Sequence, residues 1–298
     1  MTLHLPRPHR PQRPQQASRP ALPGQPAAAG SPVAGLRNAF GVLIFLCAAI
    51  VPVLARAQTD SARTDSAQPE ALVPRIQGDI GVLADMEQSP IRGESTSAQV
   101  FPFAFFDYGR LYARVDTFGV KTLPMGYGYL ELAGRAEFNG YKAAGNPALR
   151  GIQDRQNAVP LGLGTFQITP IGGFFIYALH DFGGSSGNQV ELTYVAELDA
   201  GPVTFYPEAG FEHFSRQYTQ YYFGVSPTEA AASGYAPYGP GAATNPFLCL
   251  FVQVRLARSW DADFYLRRKW LSTTMTDSPL VDTARPITGF AAITAHFE

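Results

Sequence analysis

Gln189-Val190-Glu191-Leu192-Thr193-Tyr194-Val195-Ala196-Glu197-Leu198-Asp199-Ala200 is the stretch that decides the fold of this chain. Successive side chains on a β-strand point to opposite faces. Gln189, Glu191, Thr193, Glu197 and Asp199 therefore share one face with Val195, while Val190, Leu192, Tyr194, Ala196 and Leu198 share the other. The run outlasts the roughly 5–6 residues of an average strand and reaches the ~9–11 that a tilted strand needs to cross a bilayer. One apolar face for lipid and one polar face for an enclosed lumen make the repeating unit of a transmembrane β-barrel.

The same period recurs on both sides of this stretch. From Tyr127 to Phe138, Leu130, Leu132, Ala136 and Phe138 oppose Glu131, Arg135 and Glu137. Leu248, Leu250, Val252, Val254 and Leu256 form an apolar row with Gln253 and Arg255 opposite. Near the end, Ile287, Gly289, Ala291, Ile293, Ala295 and Phe297 alternate with Thr288, Phe290, Ala292, Thr294 and His296. Short turn signals separate the runs at Asp107–Arg110, Asp181–Gly184, Asp199–Pro202 and Ala257–Trp260, whereas Asn139–Val159 and Gly224–Asn245 are long and rich in Gly, Pro, Ala and Asn. Short turns at one end and long loops at the other are the asymmetry of an outer-membrane barrel. Strands are expected to begin near Ile76, Gln99, Arg110, Tyr127, Leu161, Ile171, Gln189, Pro202, Glu212, Pro246, Trp260 and Arg285. The expected fold is all-β: a closed antiparallel transmembrane β-barrel over residues 76–298, of twelve strands, or ten if the segments near Arg110 or Leu161 are not full strands. Closure matters because an open edge in lipid leaves backbone groups unpaired at several kcal/mol each.

Composition agrees. The chain carries 23 basic and 24 acidic residues, so no nucleic acid or other polyanion is an expected partner. Charged residues make up only 16%, against roughly 25% in soluble domains, beside 14 Tyr, 21 Phe and 29 Gly. Residues 1–57 read as a basic, Pro-rich leader followed by a signal peptide: an apolar run from Ala39 to Leu54 ends on Ala55-Arg56-Ala57, with cleavage expected after Ala57. Residues 58–75 read as a flexible periplasmic tail. Cys47 falls in the leader, which leaves Cys249 alone and excludes a disulfide or thiolate-metal framework in the mature part. Trp260, Tyr265, Trp270 and the cluster Tyr218, Tyr221, Tyr222, Phe223 suit the headgroup level near strand ends.

Tyr221-Tyr222-Phe223-Gly224-Val225-Ser226-Pro227, followed by Glu229–Gly234 and the loop Tyr235–Gly241, resembles a segment of the MipA/OmpV family of outer-membrane proteins. Asp277-Ser278-Pro279-Leu280-Val281 and the turn Tyr108-Gly109-Arg110 resemble two further pieces of it. The resemblance runs from about Ile76 to Phe297. It implies an outer-membrane location among lipid and lipopolysaccharide, and a non-enzymatic role: the family takes its name from a scaffold that links a murein lytic transglycosylase to a murein synthase. A small-solute pore is the alternative.

One spacing looks catalytic. His213 and Ser215 are two apart on a strand, share a face and could form the base–nucleophile pair of an outer-membrane lipid hydrolase. Glu212 lies on the opposite face and cannot orient His213; Glu229 sits in a long loop. His180-Asp181 falls at a turn. Glu131, Arg135, Glu137, Glu191, Glu197 and Asp199 suit a structural ion network in the lumen. No phosphate-binding loop, metal-ligand spacing or cofactor fingerprint is present, so no catalytic residue, metal or cofactor is assigned.

Overall fold

The computed structural model describes residues 71–297; the leader, the signal peptide and the tail up to residue 70 lie outside the described residues. The strands are β1 (Ile76–Glu87), β2 (Ser97–Tyr108), β3 (Leu111–Arg114), β4 (Thr117–Met125), β5 (Gly128–Arg135), β6 (Leu161–Thr169), β7 (Gly172–His180), β8 (Asn188–Val195), β9 (Leu198–Ala200), β10 (Val203–Phe214), β11 (Ala243–Ala257), β12 (Trp260–Lys269) and β13 (Ile287–Phe297). Each pairs antiparallel with its sequence neighbours, except that β8 and β9 both lie against β10 and so form one stave, interrupted at Ala196-Glu197. β13 pairs with β1 from Gly78↔Phe297 to Glu87↔Thr288, and this seam closes a twelve-strand barrel. Among the described residues no helix is long and apolar enough to cross a membrane.

Burial is inverted relative to a soluble protein. Val82, Val100, Leu132, Leu163 and Leu248 face outward and are exposed, whereas Glu131, Asn245, Asp263 and Thr294 face inward and are buried. An apolar outer band around a polar interior is what a bilayer demands, because lipid cannot solvate charge and water fills or abuts the lumen. Both chain ends of the barrel meet at the end that carries the tight turns. Two of those turns are two-residue connections with glycine in the left-handed region, Gly109 (φ 57°) and Gly201 (φ 68°), where other residues would be strained. By the usual polarity of such barrels this end faces the periplasm.

Twelve strands is the expected number, but it is reached by a different partition. The segment expected from Arg110 is two strands, β3 and β4, folded about Val115-Asp116. The separate strand expected near Glu212 is the upper end of β10, which runs unbroken through Gly210 to Phe214. Its chain then enters helix α1 (Arg216–Phe223), followed by α2 (Pro227–Ser233); a short α3 (Thr273–Thr276) lies between β12 and β13. The cluster Tyr218, Tyr222 and Phe223 is therefore buried in a helix instead of sitting at the headgroup level. Trp260 keeps the expected place: it is 52% exposed at the periplasmic start of β12. Tyr265 stacks on Phe290 inside the wall, with its hydroxyl 3.3 Å from the Cys249 sulfur.

Candidate functional site: a strutted lumen beneath a folded cap

The inward face of the barrel carries a chain of ion pairs that crosses it. Arg135 on β5 reaches Glu191 on β8 (Nη1–Oε2, 3.0 Å). Arg267 on β12 lies 3.6 Å from the same Glu191 and 2.6 Å from Glu212 on β10, and Lys269 adds a 3.0 Å contact to Glu212. β5, β8 and β12 are not neighbours in the sheet, so the contacts form a strut through the lumen. The guanidinium of Arg267 stacks 3.7 Å over Phe247, and that of Arg135 sits 5.3 Å over Tyr177. Nearer the periplasm, Asp107 on β2 takes Arg114 at 2.7 Å and Lys121 at 2.8 Å. Gln189 donates to Glu137 at 2.5 Å. Buried pairs add little net stability, yet removing one partner strands the other charge at about 3–5 kcal/mol. The network thus fixes which strands face each other across the lumen.

Above the strut the long loops fold into a cap with its own apolar core. Ile91, Tyr141, Leu149, Ile152, Val225 and Leu280 contribute, together with the aromatic face of α1. α1 is amphipathic because Tyr218, Tyr222 and Phe223 recur at i, i+4 and i+5, which places them on one face. α2 starts with a full capping box: Ser226 Oγ accepts from the Glu229 N–H, and Glu229 Oε2 accepts from the Ser226 N–H. The other Glu229 oxygen accepts from Arg155 at 2.7 Å and from the Gln153 N–H at 3.0 Å, which ties α2 to the β5–β6 loop. Burial alone would raise the Glu229 carboxyl, but the hydrogen bonds from Ser226, Gln153 and Arg155 outweigh it and hold it at about 2. Arg155 also donates to the Tyr221 carbonyl through Nε. Burial pushes the Tyr141 phenol up to about 12, where it stays a donor to the Tyr222 carbonyl at 3.0 Å. Beside α2 an open recess of about 540 Å³ is lined by Arg155, Tyr221, Ser226, Glu229 and Pro237.

The segments that carry the family resemblance meet here. Ser278, from the Asp-Ser-Pro-Leu-Val stretch, donates to the Phe223 carbonyl at 2.6 Å. Val281 from that stretch bridges to Ile91, at the outer end of the seam. These motifs are the joints of the cap. The segments are legible in the sequence as motifs, whereas the aromatics expected at a membrane interface lie in a helix, for which the i, i+4 spacing of Tyr218 and Tyr222 is the signal.

The catalytic-looking residues are drawn apart by other partners. His213 is exposed on the outward face, and its Nδ1 lies 2.8 Å from Thr244 Oγ1. Ser215 Oγ accepts from the Asn188 N–H at 3.0 Å. Glu212 faces inward into the strut, and Glu229 belongs to the cap. His180 Nδ1 lies 2.8 Å from Asn188 Oδ1. Asp181 accepts from the Gly183 and Ser185 N–H groups and from the Ser185 hydroxyl; these bonds outweigh its burial and keep its carboxyl below the usual range. Of the six residues expected in the lumen network, Arg135 and Glu191 are joined in the ion-pair chain, and Glu137 accepts from Gln189 and Asn139. Glu131 is fully buried, 3.4 Å from the Tyr177 hydroxyl. Glu197 lies in the exposed break between β8 and β9, and Asp199 pairs locally with Thr204 at 2.9 Å.

A closed barrel with a lipid-facing apolar band, a strutted polar lumen and short periplasmic turns defines an outer-membrane β-barrel protein. Residues 80–297 match the family model of the MltA-interacting protein MipA, and the chain belongs to that family. The MltA-interacting protein of Escherichia coli (strain K12) is 29% identical over 142 residues, which is 47% of this chain and 57% of that protein. A putative outer membrane protein, YiaT, of Escherichia coli O157:H7 is 22% identical over 73% of this chain and 90% of its own length. The outer membrane protein Omp26La of Vibrio anguillarum is 27% identical over 50% of this chain and 58% of its own. The match to the first of these relatives thus spans little more than half of its length.

Proposed function

We propose that this protein is an outer-membrane scaffold: a barrel that holds envelope proteins in place and does not serve as a free passage for solutes. The observation that carries this reading is the ion-pair strut from β5 through β8 to β12, which puts charged side chains across the lumen where an open pore needs water. The partners that fit the family are a murein hydrolase and a murein synthase, engaged through the short-turn end that faces the periplasm, with lipid and lipopolysaccharide around the wall. Affinity capture from envelope extracts in mild detergent is expected to retain one of those enzymes. Recovery of neither overturns the scaffold role.

Small-solute conduction is the second reading, favoured by the polar residues that line the lumen. Steady single-channel conductance of the wild-type barrel in planar bilayers would put it first. A hydrolase reading has no support in the arrangement of His213 and Ser215, since each is engaged by a different partner.

A further inference from the structure

At the periplasmic end of the seam, three side chains from three strands converge. Asp79 on β1 and His296 on β13 are direct cross-strand partners. Asp261 on β12 is paired with Thr294, two residues before His296 and on the same face of β13. One potential ligand atom from each of Asp79, Asp261 and His296 lies within 4.8 Å of the others. We propose that these three residues form a binding site for one divalent transition-metal ion, with zinc as the fitting ion.

The charge balance points to a cation. Asp261 is only 2% exposed, and its Oδ1 has no hydrogen-bond partner. Asp263, two residues further along the same strand face, is fully buried; its Oδ2 accepts from Thr294 at 2.7 Å while its Oδ1 is also without a partner. The nearest cationic group to Asp261 is Arg255, whose Nε stands 3.8 Å from Oδ1 and whose side chain is 64% exposed. An exposed, loosely placed guanidinium offsets little. Buried carboxylates are otherwise paired or bind a metal, and each buried ion without compensation costs several kcal/mol.

The donor set selects the ion. One imidazole nitrogen with two carboxylate oxygens suits zinc, whose bonds of about 2.0–2.2 Å leave a fourth position for water. Calcium prefers six to eight oxygens, which this corner does not offer. His296 Nδ1 already lies 2.7 Å from Asp79 Oδ1, so an ion held by both would take the place of the proton between them, and binding would release that proton. A tetrahedral edge at those bond lengths is about 3.4 Å; atoms up to 4.8 Å apart would close by as much as about 1.4 Å while the 2.7 Å Nδ1–Oδ1 contact opens by about 0.7 Å, movements within the reach of side-chain rotation.

The site lies on the seam, so its occupation would tie the first strand to the last two. This inference is independent of the scaffold reading. Isothermal titration of the folded full chain in detergent with zinc chloride, and separately with calcium chloride, tests it. The expected result is one zinc bound per chain in this corner, with calcium at millimolar concentration failing to compete. Asp261→Asn should weaken that binding by at least the roughly 10–100-fold that loss of a metal's supporting contacts costs, and Asp263→Asn, which removes a neighbouring charge but no ligand, should weaken it less. Diethylpyrocarbonate footprinting of the wild type supplies a second readout: zinc should slow modification of His296 and leave His180 and His213 unchanged. Absence of zinc binding, equal affinity in Asp261→Asn, or no protection of His296 overturns the site. If Asp261→Asn does not fold, the wild-type footprint decides.

Discussion

Replacing Glu229 with Gln keeps the shape of the cap and removes one charge. In the wild type, Glu229 is 4% exposed and accepts from Arg155, the Gln153 N–H and both the N–H and the hydroxyl of Ser226. Its carboxyl is held at about 2, well below the 4.5 of an ordinary glutamate. A displacement of that size corresponds to about 3 kcal/mol at neutral pH. The cap borders water, which screens part of it, so about 2 kcal/mol is the working figure. Arg155 would be left without its buried partner. The sign follows from the direction of the displacement: the stabilisation is complete above 4.5 and is lost as pH falls toward about 2. The barrel wall should be indifferent, because Glu229 touches only cap elements. Amide hydrogen exchange of residues 141–156 and 216–234 therefore reports the change. At neutral pH, opening of the cap should rise about 30-fold in Glu229→Gln, which is 2 kcal/mol expressed as an equilibrium constant. Between pH 5 and pH 2 the wild type should lose its advantage over the variant. Equal protection at neutral pH, or a difference that does not change with pH, would refute the assignment of Glu229 as the buried counter-charge of the cap.

Two further outcomes follow from the lumen and the wall. Arg135→Met removes one end of the strut and leaves Glu191 with Arg267 at 3.6 Å as its remaining cation; a loss of about 3–5 kcal/mol in barrel stability and a rise in planar-bilayer conductance over the wild type are expected, and unchanged conductance would show that the strut does not obstruct the lumen. Ser215→Ala removes the hydroxyl that accepts from Asn188; lipid A and phospholipid profiles of cells carrying it should match those of the wild type, and a changed profile would restore the hydrolase reading.

Much of the wall was legible in the chain because lipid imposes a period of two over long runs. β11 shows this best: Phe247 and Cys249 are buried while Thr244, Pro246 and Leu248 are exposed. The β3–β4 hairpin was not legible. Its turn, Arg114-Val115-Asp116-Thr117, has neither Gly nor Pro, and Val115 takes a φ of 61°, a conformation for which a β-branched side chain gives no warning. Its N–H bonds to the Ala104 carbonyl, so the contact that holds the strained residue lies on another strand. The strand start expected near Glu212 meets no break in β10, where Gly210 fits because the Leu192 carbonyl and the Phe247 ring fill the space where a side chain would stand. The cap could not be read from local pattern, since its core draws on four loops and on residues as far apart as Ile91 and Val281. The charged residues of the strut were recognisable as lumen-facing, but which would meet which depends on how the sheet curls. The Asp79–Asp261–His296 corner is the extreme case: its members carry no motif spacing and meet only because the barrel closes.

That closure has a kinetic side. His296 and Asp79 are 217 positions apart in the chain, and every hairpin in the wall joins residues far closer together. The entropy of closing a loop grows with its length, and topologies dominated by distant pairings form slowly. The seam is therefore the step that must wait for all the others, and until it forms both β1 and β13 offer an unpaired edge to whatever lies beside them. Once joined, it is latched at both ends, by the Ile91–Val281 bridge above and by the Asp79–His296 contact below. A nascent barrel is thus at greatest risk of pairing with a stranger in the interval before its last strand arrives, and a change at either latch should show first as a failure of assembly.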